Sequence, residues 1–159
     1  MLRGNFVLRS GATSNYYIDK YLFTTRPDLL RRLAAELAQR LPAGVQRVAG
    51  PVLGAVPLVT ALSLATDLPM LIVRTDAPKE YGTARQIEGA LEPGERVVLV
   101  EDVVTTGGAA LGAVETLRSA GLEVLRVIAV VDREQGGAEA FAAANAPFES
   151  LFTRTALGL

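Results

Sequence analysis

Apolar residues recur along this chain in short runs broken by Gly, Pro and polar clusters, and the runs switch between the strand period and the helix period. Phe6–Leu8 and Tyr16–Ile18 read as two short strands joined by the polar stretch Ser10–Asn15. After Pro27, the residues Leu29, Leu30, Leu33, Leu37 and Leu41 fall at helical spacing, and Pro42-Ala43-Gly44 stops that helix. From there strands and helices alternate. The pattern predicts strand Gln46–Ala49, a helix from Leu53 to Ala65, strands Met70–Arg74 and Arg96–Val100, and helix Ala109–Ala120. Strand Val124–Val131, helix Gly137–Ala144 and strand Ser150–Thr153 complete it. Such a βαβ series predicts an α/β fold: a Rossmann-like, mostly parallel sheet flanked by helices, with ligands at the C-terminal strand ends.

Between Thr75 and Gly89 the periodicity fails and the residues are polar, charged and Gly-bearing, which predicts a mobile loop over the site at 75–89. The turn Glu92-Pro93-Gly94-Glu95 precedes the central strand. No internal repeat divides the sequence, so residues 1–159 are read as a single domain.

Composition narrows the chemistry. The chain has neither Cys nor His, which excludes thiol nucleophiles, Ser-His-Asp triads and His/Cys zinc sites. A metal here must be a hard cation bound by oxygen, and Mg²⁺ shared with substrate is the expected cofactor, with no direct protein cage. The net charge of −1 gives no sign of a nucleic-acid partner. The uncharged run Val48–Thr66 is interrupted by Gly50, Pro51, Gly54 and Pro57, so no membrane partner is expected. The start of the chain lacks the apolar core of a signal peptide, and a cytoplasmic location is the expectation. Of the 16 basic residues only Lys20 and Lys79 are lysines, which marks both for scrutiny.

The richest stretch is Val97-Val98-Leu99-Val100-Glu101-Asp102-Val103-Val104-Thr105-Thr106-Gly107-Gly108-Ala109. A buried parallel strand delivers two carboxylates, and a Thr-Thr-Gly-Gly turn then leads into a helix. Free N–H groups at a helix start attract an anion, glycines let a phosphate approach the main chain, and the threonine hydroxyls add donors. Glu101 and Asp102 cannot hold phosphate, but they can accept hydrogen bonds from sugar hydroxyls or orient water on a divalent metal. A phosphorylated ribose satisfies both halves of the motif.

This motif resembles the phosphoribosyl-diphosphate loop of the type I phosphoribosyltransferases, and the wider sequence is most similar to their orotate phosphoribosyltransferase branch, from about Phe6 to the last strand. The resemblance implies the type I phosphoribosyltransferase fold with a small N-terminal hood (residues 1–25) and a flexible catalytic loop. It also implies transfer of the phosphoribosyl group of 5-phosphoribosyl 1-diphosphate to orotate, giving orotidine 5′-monophosphate and pyrophosphate, with Mg²⁺. Phosphoribosyl diphosphate is then expected on Arg74, Lys79, Tyr81, Glu101, Asp102, Val103, Val104, Thr105, Thr106, Gly107, Gly108 and Ala109. Orotate is expected on Tyr17, Ile18, Thr105 and Arg133, the arginine taking its carboxylate. Lys79 and Asp102 are the expected catalytic residues, and a homodimer sharing loop residues across its interface is implied.

Three positions depart from the family pattern. Thr75 stands where a second loop lysine is usual, Arg9 replaces a lysine before Ser-Gly, and the turn Gly50-Pro51-Val52-Leu53-Gly54-Ala55 lacks the lysine many members carry. Two other readings share the central motif: a purine or xanthine phosphoribosyltransferase, which does not need Arg133, and a non-catalytic sensor of phosphoribosyl diphosphate.

Overall fold

The computed structural model describes residues 2–7, 13–17, 19–74 and 85–159. Strands β1 (Leu2–Val7) and β2 (Thr13–Tyr17) pair antiparallel as a separate two-stranded sheet. A short helix, α1 (Tyr21–Thr24), and the longer α2 (Pro27–Ala38) follow. Pro27 opens α2, where its missing N–H costs nothing and its fixed φ suits the first turn.

The main sheet takes its strands from β3 (Arg47–Pro51), β4 (Met70–Val73), β5 (Ile87–Glu88), β6 (Arg96–Val104), β7 (Glu123–Asp132) and β8 (Phe148–Thr153). Their spatial order is β5-β4-β3-β6-β7-β8, and all neighbours run parallel except the β4/β5 pair. Helices α3 (Val56–Thr66), α4 (Gly108–Ser119) and α5 (Gly137–Ala143) make the crossovers.

Alternation along the strands sorts the core into two layers. Val97, Leu99, Val127 and Ala129 pack with Ala113, Val114, Leu117 and Phe141 of α4 and α5. Val98, Val100, Ile128 and Val130 pack with Leu37, Leu58, Val59 and Leu62 of α2 and α3. Covered on both faces, β6 and β7 must be apolar at nearly every position, and this is why they read as continuous hydrophobic runs.

The structure departs from the sequence reading in several places. β1 and β2 begin at Leu2 and Thr13 rather than at Phe6 and Tyr16, because the two strands pair from Leu2↔Tyr17 to Val7↔Thr13. α2 ends at Ala38, before Leu41, and α3 begins at Val56 rather than Leu53. β6 does not stop at Val100 but runs to Val104, because β7 continues to pair with it at Glu101↔Ala129, Val103↔Val131 and Val104↔Asp132. The acid pair therefore lies within the strand rather than beyond it. Two residues of the 75–89 stretch form β5, and the four-residue α1 was not foreseen. No helix among the described residues is long and apolar enough to cross a membrane.

Candidate active site

The chain leaves β3 through α3 toward β4 and leaves β6 through α4 toward β7, so the winding reverses between β3 and β6. The crevice outside the carboxyl ends of two such strands is where open α/β sheets bind ligands. Here it is walled by the turn after β3 on one side and by the acid pair and Thr-Gly turn of β6 on the other.

The two walls touch. Asp102 is 2 % exposed, and its Oδ1 accepts the Val103 N–H at 2.6 Å. Its Oδ2 lies 2.9 Å from Lys20 Nζ, an ion pair. A Cβ at Gly54 would fall on Asp102 Oδ2 and stand 2.6 Å from Lys20 Nζ, so only glycine lets the turn pass this close. Glu101 accepts the Asp102 N–H at 2.9 Å. Burial, followed by the adjacent Asp102 charge, pushes the Glu101 carboxyl up to about 8. Burial pulls the Lys20 ammonium down, but the hydrogen bond and charge of Asp102 outweigh it and leave Lys20 above its usual value.

Beyond Val104 the backbone turns through Thr105 and Thr106 to Gly107, whose φ of 83° is the left-handed conformation that favours glycine. Gly107 caps α4 without any side-chain hydrogen bond, so the first N–H groups of that helix are open to an anion. A Cβ at Gly108 would meet nothing within 4 Å, which leaves space for a ligand above the turn. Thr106, Gly108 and Ala109 are exposed, and Val103 and Thr105 are half-buried. Val104 differs: its side chain belongs to the core, and its carbonyl accepts the Arg133 N–H at 2.9 Å.

That last bond brings the third wall into place. Val104 pairs with Asp132, so Thr105 and Arg133 leave neighbouring strand ends side by side. Arg133 is buried, at 8 % exposure. The loop behind it is pinned by Glu134, whose carboxylate accepts the N–H and the hydroxyl of Thr155 at 2.8 and 2.6 Å. Arg74 follows β4, and its Nε is 3.0 Å from Glu88 Oε1 on β5. Tyr17 ends β2. Ile18, Lys79 and Tyr81 lie outside the described residues.

One residue of this crevice, Lys20, was absent from the expected site. Its rarity as a lysine was the available signal; its contact with Asp102 joins segments far apart in sequence, which periodicity cannot reveal.

The phosphoribosyl transferase domain family matches residues 24–143. The orotate phosphoribosyltransferase of Natronomonas pharaonis is 51% identical over 154 residues, covering 97% of this chain and 87% of that protein. The chain belongs to the orotate phosphoribosyltransferase family. Its fold is correspondingly the type I phosphoribosyltransferase fold. The crystal structure of the orotate phosphoribosyltransferase from Aeropyrum pernix superimposes with a TM-score of 0.83 at 33% identity, over 97% of this chain and 88% of that one. That of the Mycobacterium tuberculosis family member in complex with 5-phospho-α-D-ribosyl 1-diphosphate gives 0.77 at 36% identity, over 97% and 90%.

As a member of this family the chain is a transferase, and its donor set bears on a metal. No group of three or more Asp or Glu residues that could cage a cation exists among the described residues. The buried Oδ2 of Asp102, paired only to a movable ammonium, fits a cation that arrives with substrate and keeps most of its water.

Proposed function

We propose that the crevice between β3 and β6 transfers the phosphoribosyl group of phosphoribosyl diphosphate to orotate, releasing pyrophosphate and forming orotidine 5′-monophosphate. The observation that carries this reading is the meeting of three groups at adjacent strand ends: two buried carboxylates, an uncapped helix start and a buried arginine. Each answers one part of the reaction's ligands.

The 5′-phosphate sits on the open N–H groups from Gly107 to Ala109 and on the hydroxyls of Thr105 and Thr106. The ribose hydroxyls bond to Asp102 and Glu101, and the negative charge of Asp102 also steadies the positive charge that grows on the sugar as its bond to diphosphate lengthens. Arg133 offers the planar pair of N–H donors that a carboxylate takes, and so selects orotate over a base without one. Orotate N1 can be bound as an anion, and positioning then carries much of the acceleration without a strong general base. Arg74 and Lys79 meet the diphosphate, Lys79 supplying charge as the bridging oxygen becomes an anion. Magnesium bound with the diphosphate supplies further neutralisation of the leaving group, its water held near Asp102 and Glu101.

The homodimer follows from the resemblance, with the loop that carries Lys79 and Tyr81 reaching the site of the partner subunit. Mixing an inactive Lys79→Ala protein with an inactive Asp102→Asn protein and recovering activity in the hybrid supports that arrangement; no recovery counts against it.

The test of the reaction is pyrophosphate release from phosphoribosyl diphosphate with each base in turn. Orotate should support turnover, and hypoxanthine, xanthine and adenine should not. Turnover on a purine alone, or binding of the sugar with release on no base, contradicts the proposal.

A further inference from the structure

The turn Gly50–Ala55 carries no charged side chain, and Gly54 passes directly against Asp102, so in the reaction assigned above a diphosphate leaving the sugar held by Asp102 would lie along this turn. A diphosphate there would stand beside the Asp102 carboxylate, and like charges at close range repel. A cation is needed between them, and the structure holds one. Lys20 Nζ is 2.9 Å from Asp102 Oδ2 and 2.6 Å from the place a Cβ of Gly54 would occupy. Asp102's side chain is 3% exposed whereas that of Lys20 is 36% exposed, so the lysine is the solvent-facing member of the pair.

Lys20 is also held in place through its backbone. Its carbonyl accepts the Thr24 N–H at 3.0 Å and the Thr24 hydroxyl at 3.1 Å, and the Tyr21 N–H is taken by Asp19 Oδ1 at 3.0 Å. The base of the side chain is fixed while its four-carbon stem can turn. Arg74, which the assigned reaction also places on the diphosphate, pairs here with Glu88 and not with Asp102.

We propose that Lys20 is a diphosphate-binding residue: it guards Asp102 in the free site and moves onto the diphosphate oxygens when the ribose hydroxyls take Asp102 Oδ2. This rests on the reaction assigned above. Exchange of one partner for another keeps a countercharge on the ammonium and hydrogen-bond donors on the buried carboxylate throughout.

Binding of inorganic pyrophosphate, phosphoribosyl diphosphate and ribose 5-phosphate, measured by calorimetry at fixed magnesium chloride, separates this role from a structural one. Lys20→Met should weaken both diphosphates by about tenfold to a hundredfold, the range of a charge-assisted hydrogen bond, and ribose 5-phosphate by less than about threefold. Lys20→Arg should recover part of the loss, and the KM for phosphoribosyl diphosphate should rise in Lys20→Met while that for orotate holds. Pyrophosphate affinity within about twofold of wild type overturns the inference, as does equal weakening of all three ligands. Should Lys20→Met fail to fold by circular dichroism, Lys20→Gln carries the same comparison. A wild-type protein that binds neither diphosphate overturns the assigned reaction itself, and this inference with it.

Discussion

The central strand β6 has a carboxylate paired to a cation near each end, and the two pairs behave in opposite ways. At the N-terminal end Glu95 meets Arg47 through both oxygens, with Arg47 Nη2 donating at 2.9 Å, and also accepts the Glu92 N–H at 2.8 Å. The hydrogen bond from Arg47 holds the Glu95 carboxyl below its usual range. At the C-terminal end Asp102 meets one movable lysine through one oxygen, and burial drives its neighbour Glu101 upward to about 8. The first pair has its acceptors answered by protein and joins the turn before β6 to β3. The second leaves acceptor capacity facing the crevice. What separates the two is the hydrogen bonding left over, since each sets one carboxylate against one basic side chain at 2.9 Å or less.

Substitutions at the two ends should therefore separate activity from stability. The largest effect belongs to Asp102→Asn, which keeps shape but removes the charge facing the sugar; kcat/KM for pyrophosphate release should fall about 10³-fold. Lys79→Ala should lower turnover by about 10²–10³-fold, as for loss of one transition-state donor, and a loss under about threefold would remove Lys79 from the mechanism. Arg133→Met should raise the KM for orotate by about tenfold to a hundredfold while the KM for phosphoribosyl diphosphate stays put. Glu95→Gln, at the structural end, should lower the melting temperature and leave kcat/KM unchanged.

Acidity sharpens the same contrast. Because Glu101 is raised in the fold, the unfolded chain gives up this proton near pH 4.5 while the folded free protein keeps it to about 8. Its contribution is thus full below pH 4.5 and is lost as the pH climbs from there toward 8. The depressed Glu95 acts with the other sign, stabilising above its unfolded pKa and losing that as the pH falls. Melting temperatures across this range should show a downward slope above pH 4.5 that Glu101→Gln flattens; an unchanged slope in that variant removes burial of Glu101 as its cause.

Much of this was legible in the chain itself, and the failures have physical causes. The run Val97–Val100 marked the central strand because a doubly covered strand must be apolar on both faces, and Thr105–Gly108 marked the turn into α4 because Gly107 takes a left-handed conformation that few other residue types adopt. The extension of β6 through Glu101 and Asp102 was hidden, since carboxylates argue locally against a buried strand and only pairing with β7 keeps them in it. Ile87–Glu88 is too short to show a period, and its strand exists through pairing with β4. Lys20 was visible only as a rare residue. Its neighbours Gly54 and Asp102 come from β3's turn and from β6, so its place in the site is a product of the fold.

The most direct trial of the whole account is a crystal structure with phosphoribosyl diphosphate and magnesium bound. The account predicts the 5′-phosphate on the backbone from Thr105 to Ala109, the ribose hydroxyls on Asp102 and Glu101, and the diphosphate along Gly50–Ala55. A sugar bound away from the β3/β6 crevice, or turned so that its hydroxyls face neither carboxylate, would contradict it.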